Sequence, residues 1–352
     1  MSSATALSVT APGPRASRSL RADARASLRA WSGERRRRGA ARRDLDFRNF
    51  CIDIFVNSTI IRVGSLKDHA FVAQTQTPSD LAIHPRDIAF GRQSAPPRCW
   101  LGGDRIATAF FNALSASFPQ GERFFMDAVR RYRGAVDQRL GEQIQAFIAQ
   151  EAVHSREHLV FNKAVADQGY DFSRIDTYLK NRFDFGRTLP PLNQLCATIA
   201  LEHFTAILAH ALLSDGDDLA GAPAELKRMW QWHAIEEIEH KAVAFDTFLA
   251  ATRHFSAFKR WQIRCVSMAL TTIMFFQFIG FGVREFFHQD GINNQRSWRN
   301  LFRYLWISPG IMRRAAPGYL AYYKPGFHPW RIDDRTLIAN VEASLTVSHA
   351  MV

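Results

Sequence analysis

The amino-acid sequence predicts an all-α protein: a bundle of four long helices, further helices C-terminal to it, and a disordered N-terminal tail. Three observations carry this. Between residues 104 and 290 apolar residues recur at helical spacing, and strand-type alternation is nearly absent. Helix-forming residues dominate the same stretch. The chain has 352 residues, 47% of them hydrophobic, which is enough apolar material for a sizeable core.

Residues 1–45 are rich in Ala, Arg and Ser, include the run Arg35-Arg36-Arg37-Arg38, and lack apolar periodicity. Such a segment cannot bury enough surface to offset its ordering entropy. It reads as an organelle transit peptide, as a polybasic arm for anionic lipid or nucleic acid, or as a non-native extension from an over-extended start codon. The last reading is preferred. Residues 46–99 form an irregular lead-in with a short β-branched stretch from Ile52 to Ile61 and then Pro96-Pro97.

The bundle proper occupies residues 100–255. A first helix covers 104–117, and Pro119 is placed at the first turn of a new one. A long helix runs over 137–167 and ends before Gly169. Pro190-Pro191 open a helix to 214, stopped by Asp215-Gly216-Asp217, and Pro223 opens another to 252. Residues 256–352 are a C-terminal helical elaboration packed on the bundle.

Charge and cysteine usage exclude several function classes. The net charge is +12, but residues 1–50 hold 12 Arg against 4 acids, so the other 302 residues carry only +4. With no basic stripe along the folded part, nucleic-acid binding is not expected there. The four cysteines lie far apart without a C-x-x-C pair, which argues against a disulfide framework or a thiolate zinc site and fits a reducing, cytoplasmic compartment.

The chemistry lies in four Glu residues. Glu122, Glu151, Glu202 and Glu237 fall on four successive predicted helices, separated by 29, 51 and 35 residues. Two of them sit in Glu-x-x-His, as Glu151/His154 and Glu237/His240, and residues three apart share a helix face. One Glu from each of two helices plus Glu-x-x-His from each of two others is the ligand set of ferritin-like di-iron and di-manganese four-helix bundles. Apolar neighbours such as Ala146-Phe147-Ile148-Ala149 would make an unpaired carboxylate costly, and a cation offsets that cost. The expected cofactor is two metal ions, iron first, with manganese or zinc as alternatives.

His233 lies at i−4 from Glu237 and i−7 from His240, on the same stripe, and is a seventh candidate ligand. His158 and Glu236 are candidate supports of the ligands, Glu239 is a surface or supporting residue, and His203 points away. A third Glu-x-x-His, Glu285/His288, lacks partners and shows how weak the motif is alone.

Residues 265–283 (CVSMALTTIMFFQFIGFGV) carry no formal charge and are flanked by Lys259, Arg260, Arg264 and Arg284. They could form a buried fifth helix, lie in a membrane interface, or just span a bilayer; a soluble or peripheral protein is preferred. The aromatic and basic residues of 298–330 could line a membrane-proximal surface or a substrate entrance; covering the bundle is the preferred reading.

At the ligand residues the chain resembles the bacterial ferritin-like proteins called predicted metal-dependent hydrolases. The matching text is Trp100-Leu101-Gly102-Gly103-Asp104, FFNALSASFPQGERFF (110–125), QEAVHSREH (150–158), LEH (201–203), WHAIEEIEHKAVAFD (232–246) and PGFHPW (325–330), over about residues 80–345. The resemblance implies an all-α di-metal bundle. A more distant likeness, confined to the ligands and to H-x-x-x-E-x-x-H at His233, Glu237 and His240, is to di-iron arylamine N-oxygenases; it implies that His233 marks a centre that activates O2.

The expected function is therefore a di-metal enzyme that activates O2 to oxidise or oxygenate a small organic substrate, with an electron donor as partner. Metal-assisted hydrolysis of an ester, amide or phosphate is the alternative, and non-catalytic iron binding or storage the second alternative. A homodimer is allowed for.

Overall fold

In the computed structural model, residues 77–90, 95–215 and 217–350 are described. The expected disordered tail and the Ile52–Ile61 stretch lie outside the described residues. Among those described, every regular element is helical.

Helix α1 (Arg105–Arg130) starts where the Asp104 carboxylate accepts from the backbone N–H groups of Ile106 and Ala107. Gly102 and Gly103, both at positive φ, shape the turn before it. Gly102 also donates to the Gly221 carbonyl, and a Cβ on Gly221 would lie 2.7 Å from the Gly102 Cα. The Trp-Leu-Gly-Gly-Asp motif thus ties the start of α1 to the loop that precedes Pro223.

Helix α2 (Gln138–Ala166) is capped by Asp137, whose side chain accepts from the Leu140 N–H. Helix α3 (Ser173–Arg187) follows and buries a stripe of Ile175, Leu179 and Phe183. Helices α4 (Pro191–Asp215), α5 (Ala224–His240) and α6 (Val243–Ala251) complete the first part of the fold. Helices α1, α2, α4 and α5 form the bundle: α1 packs on α2, and α4 on α5.

Helix α7 (Ala257–Gln289), capped by Ser256, lies along α1, α4 and α3. It approaches α1 closely at Gly282, where a Cβ would meet the Ala113 Cβ at 2.8 Å. Helices α8 (Gln295–Trp306), α9 (Ile311–Ala321) and α10 (Arg335–Ala350) follow; α9 packs on α4, and α10 on α5. Phe110, Phe111, Phe147, Trp232 and Phe248 are among the largest fully buried side chains, so the core runs through the bundle and beneath α7.

Three expectations are corrected. Pro119 does not open a new helix but sits inside α1. Its missing N–H frees the Ser115 carbonyl, which accepts instead from Asn162 Nδ2 at 3.1 Å, so a neighbouring helix replaces the lost bond. The helix expected over 223–252 breaks at Lys241-Ala242. Lys241 is buried there, its ammonium donating to the Ile332 carbonyl at 2.8 Å and to Asp334 at 2.5 Å. Helix α3 was not foreseen.

The apolar segment 265–283 is a buried face of α7 along part of its girth: Met268, Phe275, Phe278, Ile279 and Val283 are buried, while Ile273 and Phe276 are exposed. Two helices, residues 191–214 and Ala257–Gln289, are long and apolar enough to cross a membrane, with 78% and 50% of their most apolar windows buried in the fold.

Candidate metal centre

Each bundle helix brings carboxylate or imidazole groups to one buried point. Helix α1 contributes Glu122; α2 Gln150, Glu151, His154 and His158; α4 Glu202; and α5 His233, Glu236, Glu237, Glu239 and His240. All are at most 4% exposed. The last turns of α5 are buried on every side, from Trp232 to His240.

The donor atoms form two groups. In each of Glu122/His154/His233 and Glu151/Glu237/His240, one atom per residue lies within 4.8 Å of the others. Glu151 and Glu237 also face both groups with different oxygens. Glu151 Oε2 is 3.7 Å from His154 Nδ1, and its Oε1 is 3.3 Å from His240 Nε2. Glu237 Oε1 lies 3.5 Å from His154 Nδ1 and 3.0 Å from His233 Nε2, with Oε2 3.7 Å from His240 Nε2. Glu202 Oε2 joins the second group, 3.5 Å from His240 Nε2.

Eight atoms in this cluster are buried without a hydrogen-bond partner: Glu122 Oε1, both oxygens of Glu151 and of Glu202, Glu237 Oε2, His154 Nδ1 and His240 Nε2. Buried polar atoms almost always find partners, and charged ones are the most costly to leave without. Lone pairs converging on shared points are the arrangement a cation satisfies. The donor set, hard carboxylates with imidazole, fits iron, manganese or zinc.

The outer atoms of the same side chains are held. His154 Nε2 bonds Glu236 Oε2 at 3.0 Å, and Glu236 accepts in turn from Trp232 Nε1 and from the Arg86 N–H and guanidinium. His240 Nδ1 donates to Gln150 Oε1 at 2.9 Å, with Gln150 Nε2 donating to Glu239 and Arg86 forking onto Glu239. Ser155 donates to Glu122 Oε2 at 2.7 Å. Each imidazole thus has one nitrogen fixed and the other aimed at the cluster, as metal-binding histidines require.

The protonation of His233 is set by a longer chain that starts at Pro119. Asn162 gives its amide hydrogens to the freed Ser115 carbonyl, so its Oδ1 accepts from Ser115 Oγ–H at 2.7 Å. With its hydrogen committed, Ser115 Oγ accepts from His158 Nδ1–H at 2.8 Å. His158 Nε2 then accepts from His233 Nδ1–H at 2.6 Å, which leaves His233 Nε2 unprotonated and facing Glu237. Two acceptors 3.0 Å apart want a cation nearby.

The electrostatics agree. Burial, then repulsion by Glu151, pushes Glu122 well above the usual carboxylate range, and burial with Glu151, Glu237 and Glu122 does the same to Glu202. Burial also raises Glu151. Burial acts to raise Glu237 too, but the imidazoles of His240 and His154 outweigh it and hold it low. Burial opposes protonation of His154 and His240, yet the surrounding carboxylates raise both. His233 falls to about 4, and His158 lies well below its ordinary value, chiefly through burial. Both are neutral imidazoles, in keeping with the chain of bonds above.

All seven sequence-predicted ligands, with His158 and Glu236, come together. Glu239 does too, and it holds Gln150 rather than facing solvent. His203 points away, donating to the Gly318 carbonyl. Glu285 pairs with Arg174, and His288 is exposed, so the third Glu-x-x-His forms no cluster. Gln150, Ser115, Asn162 and Arg86 were missed. Gln150 and Asn162 had a signal: they lie one residue before Glu151 and four after His158 on the site helix.

A cavity of about 50 Å³ reaches the cluster at His233 and Glu237. Its walls include Phe111, Leu114, Phe118, Leu208, Trp230 and Phe275. The Phe118 ring lies 4.6 Å from that of His158 and 4.8 Å from that of His233.

Comparison with curated proteins, and with solved structures, returns no match. The family described as predicted metal-dependent hydrolase matches residues 84–333, a span that holds every side chain of the cluster, and this chain belongs to that family.

Proposed function

We propose that the cluster holds two ions, iron by preference, and that the centre activates O2 to oxidise or oxygenate a small uncharged organic substrate. Glu122, His154 and His233 would hold one ion, and Glu202 and His240 the other, with Glu151 and Glu237 shared between them. A pair of divalent iron ions would supply the electrons and open coordination positions that O2 reduction needs.

The observation that carries this reading is the cavity at His233 and Glu237. Its walls are chiefly aromatic and aliphatic, which disfavours water and charged groups at the face of the cluster they cover. They offer no guanidinium or ammonium to hold a phosphate or carboxylate. The chain's own part is to fix the imidazoles through Glu236, Gln150 and His158, keep His233 neutral, and admit a small apolar molecule. An oxygenase cycle also calls for an external electron donor.

Hydrolysis is the second reading, favoured by the family's description. Two ions could then lower the pKa of a bound water. Anaerobic loading with Fe(II) followed by O2 separates the two. Oxidation predicts O2 uptake and a transient absorbance; turnover of an ester or amide with Zn(II) or Mn(II), without O2, would overturn it.

A further inference from the structure

The charge of the folded chain is strongly lopsided. Residues 247–332 hold twelve Lys and Arg against two acids, Glu285 and Asp290, and both acids are engaged, by Arg174 and by Arg98 with Tyr170. The same stretch holds nine of the ten exposed large apolar side chains among the described residues, from Phe258 to Ile332. Cationic excess and exposed apolar surface coincide.

They meet most closely on α8. Its inner face, Ser297, Leu301 and Leu305, is buried, and α8 packs on α1 and α9. On its outer side Trp298, Phe302 and Trp306 follow at four-residue steps, 36%, 59% and 38% exposed, with Ile307 beyond them at 55%. The Phe302 and Trp306 rings stack at 6.4 Å. Arg296, Arg299 and Arg303 flank this stripe, all exposed, and none has an acidic partner among the described residues. No acid occurs between Asp290 and Asp333.

We propose that α8 lies flat on an anionic lipid surface, with Trp298, Phe302, Trp306 and Ile307 in the interfacial layer and the three arginines at the headgroups. Aromatic side chains favour that layer, and basic residues beside them are drawn to anionic lipid. This is contact by a bundle-packed helix, not a span, and it does not depend on the metal centre.

The test is flotation of the full chain with phosphatidylcholine vesicles, with and without about 30 mol% phosphatidylglycerol, a content that gives a strongly negative surface. The protein should float only with the anionic vesicles. Replacing Arg296, Arg299 and Arg303 by Gln should weaken binding by about a hundredfold, the change expected for three basic residues at such a surface. The pair Phe302→Ser and Trp306→Ser should weaken it by about tenfold or more at unchanged charge, through lost apolar burial. Both variants should keep the wild-type melting curve and metal content.

Binding that is unchanged in both variants would belong to the basic segment 1–50 and would overturn the proposal. So would an arginine effect, mirrored on a DNA duplex, without an aromatic effect, since that marks a nucleic-acid surface. Resistance to alkaline carbonate extraction would mean a spanning helix and would overturn it equally.

Discussion

Glu202→Gln should change stability in opposite directions with and without metal. Both Glu202 oxygens are buried and unpartnered, and the side chain is 2% exposed. Burial, followed by Glu151, Glu237 and Glu122, raises its pKa well above the ordinary carboxylate value of 4.5. Without metal, that shift costs stability as pH rises, because the unfolded chain gives up its proton near 4.5 while the folded chain must hold it or bear the charge. A neutral amide of the same shape removes this penalty. A gain of about 2 kcal/mol, the scale of one poorly satisfied buried polar group, would raise the melting temperature by roughly 4–8 °C in a domain of this size. The gain should be present at pH 7.5 and fade towards pH 4.5, where the wild-type carboxyl is neutral in both states. With metal the sign reverses, because the amide is a poorer ligand. The wild type should gain about 4 kcal/mol per site at a thousandfold excess of metal over Kd, and the variant should lose much of that. Melting curves in chelator and in Mn(II) or Fe(II), with ion counts per chain, read both arms. A variant that melts lower in chelator, or that still binds two ions as the wild type does, would refute the reasoning.

Two further predictions concern the same cluster. Glu122, Glu151, Glu202, His154 and His240 are all raised above their ordinary values, so loading metal should release protons. Titration calorimetry in two buffers of different ionisation enthalpy measures the number, and a value of zero would count against ligation by these groups. Ser115→Ala removes the hydroxyl that orients His158, and through it His233. It should cost about 1 kcal/mol of stability but roughly 10–100-fold in affinity for one of the two ions, as loss of a support to a metal-binding imidazole does. Metal titration checks this, and unchanged affinity at both ions would break the link from Ser115 to His233.

The site was more legible in the sequence than the fold around it. The order Glu, Glu-x-x-His, Glu, Glu-x-x-His survives in the text because helical period alone puts each pair on one face, whatever the packing. What surrounds the ligands depends on tertiary contacts. Glu236 and Glu239 sit beside Glu237, and on a half-exposed helix they would face elsewhere; the last turns of α5 are buried all round, so those directions meet His154, Gln150 and Arg86. Pro119 reads equally well as a first-turn residue, because its local signature does not reveal that Asn162 replaces the lost helical bond. Helix α3 escaped notice because its three buried positions are spread among charged ones. The charge of the folded part hid its asymmetry once averaged: +4 over 302 residues is +10 over 247–332 and an excess of acid elsewhere.

Charge balance explains why the cluster calls for two cations rather than one or none. Glu122, Glu151, Glu202 and Glu237 bring up to four negative charges into a buried site, and His233 and His158 are neutral. Two unit charges 4 Å apart repel by about 4 kcal/mol at an effective dielectric near 20, so four carboxylates cannot all ionise unaided. Only Glu237 is held low, by the His240 and His154 imidazoles, which must themselves be protonated to do so, while the other three are pushed towards neutrality. That is the compromise of a site lacking its counter-charge. One divalent ion would leave two carboxylates uncompensated, whereas two would match all four and free His154 Nδ1 and His240 Nε2 to act as lone-pair donors. Glu236 and Glu239 lie outside this balance because Arg86 meets both. Among the described residues the inner carboxylates have no such arginine or lysine partner, and an ordinary structural ion-pair network would have supplied one.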